Sequence, residues 1–258
     1  MTSRLTTSRA GHAYAIDGER VPSVTTIIGN ATPKRALLGW AAREAAHWAA
    51  THTDLIDAIG EDEWIDQAAR AHTRKASKAA TRGIDVHADA QGLLEGKALD
   101  IPDERLAITR QAVDFMDTWH VEAIAAERPC ANTEHNYAGT FDLIARLGDG
   151  KTWLLDWKTG KGPYTEQTLQ LAAYAACDIY RDADGNDAPM PEIDRLGFVM
   201  LSDDGWDLVP VIGDTLRLFN VFTRMIGVST FVQWTTPNRD GIARWPVLGE
   251  PLLPAASA

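Results

Sequence analysis

Up to about residue 120 the apolar positions of this chain recur with a helical period, and beyond that point they fall into short alternating runs. Leu37, Trp40, Ala41, Ala45 and Trp48 follow Thr32 and Pro33, a capping residue and a first-turn proline. The spacing predicts a helix reaching about residue 51, with that stripe in the core. Helices are also predicted over 61–81 and 103–120, the latter with Ile108, Ala112, Phe115 and Trp119 on one face. A short strand is expected over 22–28. From residue 121 onward, β-prone runs predict strands over 121–127, 133–137, 139–147 and 152–158, the last two joined by Gly148-Asp149-Gly150, a hairpin turn. A helix over 164–180, a polar loop over 181–188, strands over 196–201 and 206–212 and a helix over 214–227 complete the order. The Pro- and Trp-containing tail over 231–258 reads as irregular. The simplest architecture is one α/β domain over 1–258, with a mainly helical portion to 120 and an α/β core over 121–230.

Composition narrows the class. Across 258 residues, 45% are hydrophobic and 24% charged, which suits a packed core and excludes disordered and fibrous chains. The net charge of -11 argues against a nucleic-acid partner. Locally the balance reverses: Arg70, Arg74, Lys75, Lys78 and Arg82 face a single acidic residue, Asp85, between Gln67 and Ala88. These five occupy about 140° of the helix circumference, a stripe expected to lead towards His87 and to follow a phosphate backbone. Two cysteines, Cys130 and Cys177, exclude a disulfide framework, a four-cysteine zinc site and an iron-sulfur cluster, and point to a reducing cytoplasm. The first fifteen residues are too polar for a signal-peptide core, and no apolar run approaches the ~18 residues of a membrane span, so no membrane partner is expected.

The chemistry concentrates between Gly139 and Tyr174. In an extended strand Phe141, Leu143 and Ala145 share one face and Asp142, Ile144 and Arg146 the other. In the next strand Asp156 and Lys158 share a face, and hairpin pairing brings Asp142 near Asp156. Two carboxylates ~4 Å apart repel strongly when desolvated unless they share a proton or a cation. A hard divalent ion such as Mg²⁺ or Mn²⁺ fits oxygen ligands. On the following helix Gln167, Gln170 and Tyr174 fall on one polar arc. The stretch A-R-L-G-D-G-K-T over 145–152 loosely matches a phosphate-binding P-loop, but it lacks the first glycine and runs into a strand rather than a helix, which rules the match out.

Taken in order, Gly139-Thr140-Phe141-Asp142, Asp156-Trp157-Lys158-Thr159-Gly160-Lys161 and Gln170-Leu171-Ala172-Ala173-Tyr174 resemble the PD-(D/E)XK nuclease superfamily, in its RecB-like, phage exonuclease branch. The likeness covers residues 83–174 best, and Pro22-Ser23-Val24-Thr25-Thr26-Ile27 is similar to the opening of phage-encoded members. Phe141 stands where that family's naming proline does. The resemblance implies a restriction-endonuclease-like core, a central mixed β-sheet flanked by helices. It implies a metal-dependent DNA exonuclease used in phage recombination or replication, acting in the cytoplasm (of the host, if phage-encoded). It further implies that His87, Asp142, Asp156 and the Trp157 carbonyl hold Mg²⁺ or Mn²⁺. Lys158 would act on the attacking water, Glu127 would assist, with Glu122 and Glu134 as competitors for that place, and Gln170 and Tyr174, with Gln167 a weaker third, would position the phosphate. The basic stripe and Lys161 would contact DNA. A nuclease-fold protein that has lost its chemistry and binds DNA alongside a single-strand-annealing recombinase is the alternative.

Overall fold

A computed structural model describes residues 4–8, 13–32, 35–160, 162–237 and 243–245, with only the backbone of Arg35 and Ala36. Pro33, Lys161 and most of the expected irregular tail lie outside the described residues.

The chain opens with a three-stranded antiparallel sheet of β1 (Leu5–Thr7), β2 (Tyr14–Ile16) and β3 (Glu19–Val21). Asp17 and Gly18 turn β2 into β3 with φ of 51° and 86°, the left-handed pair that a tight hairpin requires. The expected strand over 22–28 is instead α1 (Val24–Ala31). Ser23 caps it by accepting from the Thr26 amide at 3.1 Å, and Val24, Ile27 and Ile28 bury at i, i+3 and i+4, so packing overrides the strand preference of the β-branched run. Next come α2 (Arg35–Thr51), a 3-10 turn (Thr53–Leu55), α3 (Ile56–Ile59), α4 (Glu61–Ala69), α5 (Ala71–Leu94) and α6 (Asp103–Thr118). The apolar stripe of α2 is not core: Leu37 is 47% exposed, Trp40, Ala41, Ala45 and Trp48 are half-buried, and the helix packs on α4 and α5.

In place of one helix over 61–81, the chain breaks at Arg70 and α5 continues through Gly83 to Leu94. An interior glycine costs about 1 kcal/mol of helix propensity. Burial of Val86 and Ala90 against the sheet offsets it, as does the α6 residue Arg105, whose Nε donates to the buried Asp89 carboxylate at 2.9 Å.

The main sheet has seven strands: β4 (Glu122–Asn132), β5 (Tyr137–Arg146), β6 (Thr152–Lys158), β7 (Ile179–Arg181), β8 (Asp187–Pro189), β9 (Arg195–Leu201) and β10 (Trp206–Pro210), in the order β10-β9-β6-β5-β4-β7-β8. Among the seven described strands only the β6–β9 pair is parallel, so the sheet is mixed. β4 is one long strand. Residues 133–136 form a turn whose Thr133 amide and hydroxyl both donate to Asp178, not the strand expected over 133–137. The helix expected over 164–180 is the shorter α7 (Gln167–Ala175), and the polar loop is the β7–β8 hairpin. Asp214 caps α8 (Thr215–Thr235), which runs past Gly227.

One face of the sheet buries against α1, α7 and α8 through Val24, Leu171 and Phe222, and the other against α5 and α6 through Val86 and Phe115. β1–β3 cover a separate patch around Ala131 and Ala138. No helix among the described residues is long and apolar enough to cross a membrane.

Strict alternation along β5 fails at one place. Phe141 packs with Ile144, on the α7 side, whereas Leu143 and Ala145 pack on the α5–α6 side. The strand therefore changes face at Asp142. Opposite it in register, between the Ala126–Leu143 and Arg128–Phe141 pairs, Glu127 has a φ of 48°. A left-handed non-glycine residue costs on the order of 1 kcal/mol or more and persists only where its surroundings impose it.

Candidate metal centre

The β5–β6 ladder runs from the Arg146–Thr152 pair to the Leu143–Leu155 pair and ends there. Asp142 and Asp156 are the next residue on each strand, so both carboxylates stand in the fork where the strands part. Both are buried, with relative exposures of 8% and 2%. The Trp157 amide donates to Asp142 Oδ2 at 2.9 Å across the fork, while the Trp157 ring anchors β6 edge-on to Phe115.

α5 brings His87 over this opening. Its Nε2 lies 2.9 Å from the Trp157 carbonyl, an acceptor only, so Nε2 carries the hydrogen. Nδ1 then faces the carboxylates, 3.3 Å from Asp142 Oδ2 and 3.6 Å from Glu127 Oε1. Ligand atoms of His87, Glu127 and Asp142 all lie within 4.8 Å of one another. Glu127, the residue with the left-handed backbone, is thus a member of the group.

Asp156 stands beside this trio rather than in it. Its Oδ2 is paired in charge with Lys158 Nζ, and its Oδ1 accepts from Gln170 Nε2 at 3.3 Å. Gln170 also reaches the Tyr174 hydroxyl at 3.4 Å. Tyr174, expected to help position the phosphate, is 3% exposed and joins the site through its hydroxyl's contact with Gln170. Its ring lies on Gly139: a β-carbon at Gly139 would fall 2.5 Å from Tyr174 Cε1. The glycine of one motif thus seats the tyrosine of the next. Gln167 is turned to another task, accepting from the Tyr164 amide at 2.8 Å. The Trp157 carbonyl, expected as a ligand, is engaged in fixing the histidine tautomer.

The electrostatics are those of a crowded acidic site. Burial raises the Asp142 carboxyl; the His87 charge opposes this and Glu127 adds to it. Burial and the neighbouring Asp142 charge push Asp156 up to about 7 against the pull of Lys158. Burial disfavours a charged His87, yet Glu127, Asp142 and Asp156 outweigh it and hold the imidazole at about 9. Two buried oxygens have only a charged side chain for a neighbour: Glu127 Oε1 faces the His87 imidazole at 3.6 Å, and Asp156 Oδ2 faces the Lys158 ammonium. The carboxylate oxygens of Glu127 and Asp142 beside an imidazole nitrogen form an anionic donor set that could hold a divalent cation.

No family model and no curated protein matches the chain. Among solved structures, "Crystal structure of SSO0001" aligns with 82% of this chain and 75% of its own length, at 13% identity and a TM-score of 0.35. A likeness of that size bears on neither fold nor function.

The stripe on α5 does not lead into the fork. At about 100° per residue, Arg74, Lys75, Lys78 and Arg82 lie roughly 140–240° around the axis from His87, on the opposite side of the helix, and Arg70 stands at the break before it. Three of the five are in ion pairs: Arg70 with Asp66, Lys75 with Glu44 and Arg82 with Asp203. Arg74 lies over the Trp48 ring at 5.6 Å, and Lys78 is exposed. The linear sequence missed two participants, Gly139 as the seat of Tyr174 and Tyr14, whose hydroxyl is 3.0 Å from Thr140 Oγ1 beside Asp142. Nothing in the 139–174 pattern points to residue 14; only the Asp17-Gly18 turn signals that strands lie there.

Proposed function

We propose that this chain is a metal-dependent nuclease of the PD-(D/E)XK type, with a restriction-endonuclease-like core, that hydrolyses DNA phosphodiesters. Exonuclease action and a setting in phage recombination or replication are drawn from the sequence resemblance. The observation that carries the reading is the pair of buried carboxylates at the β5–β6 fork, with a lysine two residues beyond the second. A structural ion pair needs no second buried carboxylate, no strained glutamate opposite it and no imidazole aimed at both.

His87 Nδ1, Glu127 and Asp142, with Asp156 adjoining, would hold Mg²⁺ or Mn²⁺. A divalent ion in such a set supplies Lewis acidity towards a phosphate oxygen and lowers the pKa of water. Lys158, steadied by Asp156, orients the attacking water and offsets the negative charge that grows on the phosphorus oxygens. Gln170 fixes the Asp156 carboxylate from the other side, and Tyr174, lying on Gly139, sets the reach of Gln170. The Trp157 carbonyl keeps the proton of neutral His87 on Nε2, leaving Nδ1 free to ligate.

The test is digestion of end-labelled linear, nicked and closed circular DNA with Mg²⁺, Mn²⁺ or EDTA. Cation-dependent loss of linear DNA, absent in Asp142→Ala, Asp156→Ala and Lys158→Ala, is expected. Cleavage of closed circles would overturn the exonuclease part. Undiminished hydrolysis in the three variants would overturn the whole.

A further inference from the structure

The first half of α5 stands away from the sheet, with every residue from Thr73 to Arg82 exposed, and packs instead on α2 and α4. Between α2 and α5 lies a cleft of about 340 Å³ on the side of α5 opposite His87. Its lining combines three cations, Arg74, Lys75 and Lys78, with His47, His52 and Trp48, against a single acid, Glu44, which is paired with Lys75. The aromatic groups are ordered rather than loose. Trp48 and His52 stack at 4.5 Å with an interplanar angle of 10°, and the Trp64 Nε1 donates to the His52 carbonyl at 2.7 Å. Arg74 also lies over the Trp48 ring, and its Nη2 donates to the Gln67 carbonyl at 3.0 Å.

We propose that this cleft is a second DNA-binding site, which grips the phosphates of a single strand other than the one in the metal centre. This rests on the nuclease reading and adds to it the form of DNA held away from the cut. Three considerations select the ligand. A guanidinium held in place by cation-π contact loses little freedom on binding a phosphate. Lys75, Lys78 and two imidazoles line the same cleft and add several separate donors for phosphate oxygens. At about 340 Å³ the cleft also has room for a short piece of one strand rather than for a duplex. Because it opens on the reverse side of α5, about 14–20 Å along the axis from His87, one strand cannot follow the helix straight from cleft to fork. At a duplex end, α5 would therefore stand between the two strands, the scissile one on the His87 side and its complement on the Trp48 side.

The test is fluorescence anisotropy of a labelled single-stranded oligonucleotide with the full-length protein in EDTA, as a function of salt. Arg74→Glu combined with Lys78→Glu is expected to weaken binding at least tenfold and to reduce the slope of log affinity against log salt by about 1.4, roughly 0.7 for each single-strand phosphate contact removed. The charge-conserving pair Arg74→Lys and Lys78→Arg should restore most of it, and Arg110→Glu, an exposed change elsewhere with the same charge difference, should not alter it. Photocrosslinking from a thiolated thymidine should mark the segment containing His47, Trp48 and His52. Equal weakening by Arg110→Glu, or no change in the double variant, would overturn the second site while leaving the nuclease reading intact if the wild type still hydrolyses linear DNA. A wild-type protein that neither binds nor cuts DNA would remove both.

Discussion

Two acid–base pairs in this molecule use nearly the same chemistry in opposite surroundings. Asp66 and Arg70 meet at 2.9 Å across one turn of helix, with side chains 59% and 72% exposed. Asp156 and Lys158 meet on β6, with side chains 3% and 21% exposed, beside another buried carboxylate. Water screens the first pair, so neither partner depends on the other. In the fork the two aspartates are largely shielded from water, and each charge needs a partner that the others supply incompletely. The strand break, the left-handed Glu127 and the tilt of His87 towards the acids are the structural counterpart of that shortage. What distinguishes a candidate site here is how much solvation has been removed, not which residues are present.

The largest way to sharpen that contrast is Lys158→Ala. It should reduce hydrolysis at least about 100-fold, the scale for removing one electrostatic group from a transition state. In metal-free protein it should also cost up to about 3 kcal/mol in urea unfolding, because the Asp156 carboxylate is left without its partner. Mn²⁺ should recover part of the stability but not the rate. A stability loss below about 0.5 kcal/mol would place this pair in the same class as the exposed one.

Gly139→Ala comes next. Its β-carbon enters the Tyr174 ring, so about 1–3 kcal/mol of overpacking cost is expected, together with slower hydrolysis as Gln170 shifts. Combining it with Tyr174→Leu should be less harmful than the sum of the two single changes. Simple additivity in that cycle would separate Gly139 from the site.

A smaller effect concerns pH. His87 titrates near 6.5 when unfolded and at about 9 when folded, so its stabilisation is complete below 6.5 and fades as pH rises through 9. Asp156, also raised, from 3.8 to about 7, contributes with the same sign at lower pH. In EDTA the thermal midpoint should fall between pH 6.5 and 9. The gain on adding Mn²⁺ should grow over that range, since fewer protons must be displaced. A flat difference between His87→Ala and wild type would contradict this.

Smallest of all is Arg70→Ala, expected to remain within about 0.5 kcal/mol of wild type.

Much of this could be read from the chain and some could not, for physical reasons. The hairpin of β5 and β6 is local, so Gly148-Asp149-Gly150 and the alternation on either side place Asp142 and Asp156 together without knowledge of the fold. His87 is 55 residues from Asp142 in sequence, and residue pattern alone does not show that α5 survives Gly83 and crosses the fork. The change of face at Asp142 was invisible because alternation assumes an unbroken strand, and the left-handed Glu127 opposite it has no compositional signature. The stripe on α5 was legible as a stripe; its direction was not, because that depends on which side of the helix meets the sheet.

The most direct measurement is Mn²⁺ titration of the metal-free protein by calorimetry near neutral pH in two buffers of different ionisation enthalpy, for wild type and Asp142→Ala. The account predicts saturable binding to the wild type with net release of protons from the His87 cluster, and loss of that binding in the variant. Equal affinity in the two proteins, or binding to the wild type without proton release, would contradict it.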